Sequence, residues 1–133
     1  MKKGFIFFVV LLCLVFPVLL TGCGNTETLG KYQKITPTQA KEIMDGGGDF
    51  ILLDVRTLAE FTAKRIPSAI LIPDFEIAAR AESELPDKTV VYLVYCQSGV
   101  RSERAARELI SMGYVTVYDF GGINGWPYET ISG

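Results

Sequence analysis

Cys96-Gln97-Ser98-Gly99-Val100-Arg101-Ser102 is the segment of this chain best suited to chemistry. An apolar stretch, residues 90–95, leads into it, and a helical pattern, residues 103–112, leads out. A thiol placed where a buried strand hands over to a helix faces the helix's first N–H groups, which lack intrahelical partners. Their partial positive charge, with a neighbouring arginine, favours thiolate over thiol. The chemistry expected is therefore nucleophilic catalysis at Cys96 inside a cradle of anion-binding amides. Gly99 suits a loop whose backbone must turn its N–H groups inward. Gln97, Ser98 and Val100 would line the mouth and touch substrate. Ser102 would either join them or cap the helix. Arg101 would either pair with an anionic substrate or fix the loop by hydrogen bonds.

What the chain lacks narrows the chemistry further. There is no histidine, which excludes a Cys-His protease arrangement and most histidine-containing metal sites. No metal and no cofactor is expected. The formal net charge is −2; a nucleic-acid partner needs a basic face, so none is expected. Of the three cysteines, Cys13 lies in an apolar N-terminal run and Cys23 at its end, leaving Cys96 as the one available thiol. An exported domain with one unpaired cysteine has no disulfide framework. A lone thiol outside the cell is prone to oxidation, and its place on a loop favours a catalytic role over a packing one.

Positioning such a loop calls for alternating strands and helices. Residues 24–33 are polar and aperiodic, a flexible tether. Thr36 reads as an N-cap, Pro37 as the first helical residue and Gln39 as the partner in a capping box, for a helix reaching about Asp45 and stopped by Gly46-Gly47-Gly48. Residues 50–55 are apolar almost throughout, a strand buried on both faces. Thr57 and Glu60 form a second capping box. Residues 69–72 make a short strand, residues 75–85 an acidic exposed helix, and Pro86-Asp87 a turn. Residues 89–95, β-branched and aromatic, make the central strand. Residues 102–112 form a helix with Ala105, Leu109 and Met112 inward, ended by Gly113, and residues 115–120 the last strand. The pattern predicts an α/β fold, a mostly parallel central sheet flanked by helices on both faces. Ligands in such sheets bind beyond the carboxyl ends of the strands. That edge would collect Asp54, Arg56, the Cys96 loop and Gly121-Gly122. Asp54 and Arg56 read as a structural ion pair, and Trp126 as a lid on the core.

Four segments, in order, resemble a rhodanese domain. They are Leu52-Leu53-Asp54-Val55-Arg56 with Glu60-Phe61, the block from Phe61 to Ile70 around Ile66-Pro67-Ser68-Ala69, the Cys96 loop, and Gly121-Gly122-Ile123-Asn124-Gly125-Trp126. Four residues separate Cys96 from Arg101. That spacing is similar to the sulfur-transferring members; the related cell-cycle phosphatases carry one residue more. Arg65 stands where histidine is common and Ser68 where glycine is common, so local loop adjustments are expected there. The resemblance implies a rhodanese-like fold and a sulfurtransferase. Sulfane sulfur would pass from a small donor such as thiosulfate to a thiol or cyanide acceptor through a Cys96 persulfide. Cys96 and Arg101 would be catalytic, with Gln97, Ser98, Gly99, Val100 and Ser102 holding substrate. A non-catalytic sulfur-carrier or partner-binding module, and a phosphatase or arsenate-type reductase on the same scaffold, are the alternatives. Cys96 argues against the first and loop length against the second.

Met1-Lys2-Lys3, the apolar residues 5–20 and Leu20-Thr21-Gly22-Cys23 resemble a bacterial lipoprotein signal, in which the cysteine takes the lipid and becomes the first mature residue. The expected organisation is a signal peptide over 1–22, a tether over 23–33 and a rhodanese-like domain over 34–133. The domain would be a monomer held to a membrane through lipidated Cys23, outside the cytoplasm, at the cell envelope.

Overall fold

Local signals account for much of the secondary structure. The computed structural model describes residues 29–133. The expected signal segment, Cys23 and most of the tether lie outside the described residues. Thr36 and Thr57 each cap a helix with the reciprocal bonds of a capping box, to Gln39 and Glu60. These begin α1 (Pro37–Asp45) and α2 (Leu58–Ala63). The strands are β1 (Lys31–Lys34), β2 (Phe50–Asp54), β3 (Ile70–Leu71), β4 (Val91–Cys96) and β5 (Thr116–Gly122). Two further helices are α3 (Ile77–Glu84), preceded by a 3₁₀ turn at Asp74–Glu76, and α4 (Val100–Ser111); a second 3₁₀ turn covers Ile123–Gly125.

The five strands form one sheet in the order β1-β5-β4-β2-β3, and every pairing is parallel. Parallel sheets are buried on both faces, and the period of two divides the core accordingly. Leu53, Val55, Tyr92, Val94 and Cys96 face Ile77 and Ala81 of α3 and Ala105 and Leu109 of α4. Leu52, Leu93, Tyr95 and Phe120 face Ala40 of α1, Ile123 and Trp126. Helices thus cover both faces, and Cys96 projects to the side of α3 and α4. Trp126 lies against Phe120 as a lid on the second cluster, ring centroids 5.4 Å apart.

Two expectations need correction. The tether expected to reach Gln33 is already a strand from Lys31. β1 pairs with β5 from Lys31 opposite Thr116 to Lys34 opposite Asp119, and Tyr32 packs partly into the core. Polar composition hid an edge strand, where only one face needs apolar residues. The helix over residues 75–85 is not wholly exposed either. Ile77, Ala81 and Leu85, at helical spacing, are fully buried. Where glycine is common, Ser68 adopts a left-handed backbone, φ +64°, with its hydroxyl donating to the Pro67 carbonyl at 2.6 Å. Glycine adopts that backbone region without the steric cost a serine carries.

Candidate active site

Cys96 ends the central strand and is 1% exposed. Beyond it the chain turns through Gly99, φ +113°, into α4. That left-handed turn aims the Gly99 N–H at the Cys96 sulfur, 3.0 Å away. Only glycine takes such a φ without a steric cost. The thiol in turn reaches the Ser102 hydroxyl at 3.6 Å. Burial pushes the Cys96 thiol up, but hydrogen bonds from the Ser102 hydroxyl and from the Ser102, Gly99 and Ser98 N–H groups outweigh it. The net result lies below the ordinary thiol value. The helix start therefore does to this sulfur what the spacing of residues 96–102 led one to expect.

The floor of the loop is β5. Between Val94 and Cys96 the pairing with β5 shifts, so that Cys96 lies opposite Gly122. A Cβ on Gly122 would meet the Gln97 carbonyl oxygen at 2.1 Å. Glycine is required there by close approach, because loop and strand backbones lie in contact. Ser102 ties the same pieces together: its hydroxyl can donate to the carbonyl of Gly99 at 3.0 Å or of Gly121 at 3.2 Å.

Asp54 and Arg56 form the buried pair that their placement implied. Arg56 Nη2 donates to Asp54 at 2.6 Å and to the Lys64 carbonyl at 2.6 Å, and its Nε lies 3.0 Å from the same carboxylate. The pair extends into the loop through Arg56 Nη1, which donates to Gln97 Oε1 at 3.2 Å, and Gln97 Nε2 donates to Asn124 at 2.6 Å. Arg101 makes a fork with Glu60, at 2.9 and 2.7 Å. That bond is the main reason the Glu60 carboxyl is held down to about 2; burial opposes it, and the Thr57 cap adds to it.

The expected site residues therefore divide. Cys96, Ser98, Gly99 and Val100 meet at the loop, with Ser98 and Val100 exposed. Ser102 is fully buried, and the N-cap of α4 is Gly99. Neither a mouth contact nor a cap is formed by Ser102, because its hydroxyl points beneath the sulfur. The Gln97 side chain is held between Arg56 and Asn124. Arg101 pairs with Glu60, and both side chains stay partly exposed. Glu60 was visible in the sequence as a capping residue, but its bond to Arg101, 41 positions away, was not. Asn124 carried no signal. Among the described residues no group of three or more His, Cys, Asp or Glu side chains is arranged to hold a metal. A cavity of about 290 Å³ between Met44, Phe50, Ile66 and Trp126 includes none of the loop residues.

This geometry defines a class: an all-parallel α/β domain built around a thiol cradled at the carboxyl end of its central strand. Comparison with known proteins gives the family. The chain belongs to the rhodanese-like domain family, whose model matches residues 36–128. It is similar to a sulfurtransferase of Allochromatium vinosum, 42% identical over 80 residues, covering 59% of this chain and 72% of the relative. It is also similar to a thiosulfate sulfurtransferase of Pseudomonas syringae, 32% identical over 108 residues, covering 77% and 98%. Among solved structures, a rhodanese with anions from E. coli superimposes with a TM-score of 0.60 at 30% identity, covering 64% of this chain and 100% of that one. The chain spans 28% of the length of another relative, an adenylyltransferase and sulfurtransferase of Candida albicans, at 34% identity over 122 residues.

Proposed function

We propose that this protein is a sulfurtransferase that carries sulfane sulfur as a persulfide on Cys96. The Cys96 thiolate attacks the outer sulfur of a donor such as thiosulfate. The donor's S–S bond breaks, sulfite leaves with the bonding pair, and a persulfide remains on Cys96. A thiol or cyanide then removes the terminal sulfur and returns the thiolate. The observation that carries this reading is the Gly99 N–H, 3.0 Å from Sγ. A terminal persulfide sulfur is anionic, so amides that favour thiolate also favour the intermediate. In this reading Ser98, Gly99 and Val100 surround the substrate. Ser102 stabilises the sulfur from below, and Gln97 and Arg101 hold the loop in shape. No general base is needed where the loop itself lowers the thiol's pKa.

The test is intact mass of the purified chain before and after thiosulfate, beside Cys96→Ser. A gain of about 32 Da, one sulfur atom, reversed by cyanide and absent in the variant, is expected. A folded chain that gains nothing overturns the reading. We also infer that Cys23 carries a lipid and that the domain works at the bacterial cell envelope. The support is the basic start, the apolar run and Leu20-Thr21-Gly22-Cys23. Incorporation of labelled palmitate that is lost in Cys23→Ser checks it.

A further inference from the structure

We propose that Asp119, outside the Cys96 loop, is a positioning residue for the reactive sulfur, acting through the backbone of Gly121. The proposal deepens the sulfurtransferase reading above and rests on it for the sulfur-loading step. Asp119 lies on β5 and is fully buried. Its carboxylate accepts from the Gly121 N–H at 2.9 Å and from the Tyr32 hydroxyl at 3.5 Å. Neither partner is a cation. Burying a carboxylate against neutral donors carries a desolvation cost that an apolar side chain avoids. Stability alone therefore does not account for an acid at this position.

Register shows what the carboxylate holds. β4 advances two residues, from Val94 to Cys96, while its partner β5 advances three, from Asp119 to Gly122. β5 therefore carries one residue too many for the ladder, a bulge beside the nucleophile. A bulge leaves a backbone N–H without its ladder partner. The Asp119 side chain takes up that of Gly121, two residues on, in the turn typical of aspartate. Gly121 is left-handed there, φ +86°. Its carbonyl lies 3.2 Å from the Ser102 hydroxyl, which lies 3.6 Å from Cys96 Sγ. Its Cα backs onto Gly99, where an added Cβ would meet it at 3.5 Å. Asp119 thus fixes the piece of strand against which Ser102 and Gly99 rest, and both of these hydrogen-bond the sulfur.

A bare charge would act in the opposite sense. Removing a buried negative charge near a thiol favours the thiolate and lowers the thiol's pKa. Loosening the bulge lets Ser102 and Gly99 drift from the sulfur, and the pKa rises. The two roles therefore differ in sign. Arg101 is a charged neighbour of the thiol. Tyr32 faces Asp119, with Glu103 and Arg107 beside it. Changes confined to Asp119 and Tyr32 leave the charges of Arg101, Glu103 and Arg107 in place, so the sign reports on Asp119 itself.

The test uses the full chain in detergent. Iodoacetamide alkylation, read at Cys96 by peptide mass, is followed against pH in the native chain, Asp119→Ala, Asp119→Asn and Tyr32→Phe. Asparagine keeps an oxygen for the Gly121 N–H, and its amide can donate to the Tyr32 hydroxyl. Asp119→Ala should raise the Cys96 midpoint by about 0.5–1 pH unit, which slows alkylation about threefold to tenfold at neutral pH. Asp119→Asn should leave the midpoint at or below the native value, and Tyr32→Phe should leave it unmoved. Sulfur loading from thiosulfate, read by intact mass, should slow in Asp119→Ala near neutrality and recover as pH rises through the shifted midpoint. Circular dichroism checks each fold. If Asp119→Ala does not fold, Asp119→Ser, with a shorter and weaker acceptor, takes its place and should titrate above Asp119→Asn. A midpoint unmoved or lowered in Asp119→Ala overturns the proposal. So does a rise as large in Asp119→Asn, a Ser variant that titrates no higher than Asp119→Asn, or a shift in Tyr32→Phe. A native chain that takes no sulfur sinks the sulfurtransferase reading, and the alkylation midpoints still decide the role of Asp119. A chain that loads sulfur but shows one of the overturning midpoints sinks the positioning role alone.

Discussion

Ser102 sets the character of the Cys96 sulfur from below. In the thiol form its hydroxyl accepts from Sγ; in the thiolate form it can rotate to donate. Ser102→Ala removes that donor and leaves the backbone N–H groups in place. The thiol's pKa should rise, because burial, the largest influence, already pushes upward and one opposing bond is gone. Iodoacetamide alkylation followed against pH reads this directly. The native midpoint should fall below that of free cysteine, and the variant should react several-fold more slowly at neutral pH. Ser68 gives a second test. A serine held at φ +64° costs about 1 kcal/mol that glycine does not. Ser68→Gly should therefore stabilise the protein slightly, by up to about 0.5 kcal/mol after the unfolded chain's extra freedom is counted. A drop in the thermal midpoint would contradict this. At this scale the place of the thiol and of its glycine was legible, because a strand that hands over to a helix leaves its last residue at the carboxyl edge of the sheet. The inward aim of Ser102 was not, since a serine near a helix start reads equally as a cap.

Between elements, the decisive contact is the fork from Arg101 on α4 to Glu60 on α2. Glu60 serves two ends at once: it completes the Thr57 cap and anchors the arginine of the loop. Glu60→Gln keeps a group able to cap Thr57 but removes the charge. The folded carboxyl sits at about 2 against an ordinary 4.5. A depressed carboxyl contributes stability that is complete above its unfolded pKa and lost as pH falls toward its folded one. The native chain should therefore outlast the variant near neutrality by about 1–2 kcal/mol, discounted for partial exposure. The gap should close between pH 4.5 and 2. Urea melts at pH 7 and pH 3 measure it, and a gap that widens in acid would refute the assignment. Helix starts were legible because Thr36 and Thr57 each stand three residues before a glutamine or glutamate. The pairing of α2 with α4 was not, because sequence spacing carries no trace of which strands become neighbours.

Across the whole molecule, one polar chain joins the sheet's exit loops: Asp54, Arg56, Gln97 and Asn124. Its anchor is buried. Asp54→Ala would leave the Arg56 guanidinium buried without a carboxylate, at a cost of about 3–5 kcal/mol, enough to unfold many domains of this size. Loss of the cooperative thermal transition is the expected result. The opposite edge of the sheet poses the subtler question, since β1 directly follows the segment proposed to reach the membrane. β5 is an interior strand only because β1 covers it. The Lys31 N–H donates to the Val115 carbonyl at 2.6 Å and the Ile35 N–H to the Asp119 carbonyl at 2.8 Å. In a parallel ladder every second residue donates to the same neighbour, so Gln33 lies in the donor row between them. Gln33→Pro removes that donor and detaches β1, whose polar surface offers little apolar burial in return. Stability should fall by about 1–3 kcal/mol, and hydrogen exchange along β5 should quicken. The Cys96 loop is held by Gly122, Asn124 and Glu60, none of them on β1, so the alkylation midpoint should not move. A shift in that midpoint would mean that a change at β1 reaches the thiol through β5, and that the edge strand of the sheet and the Cys96 loop are coupled.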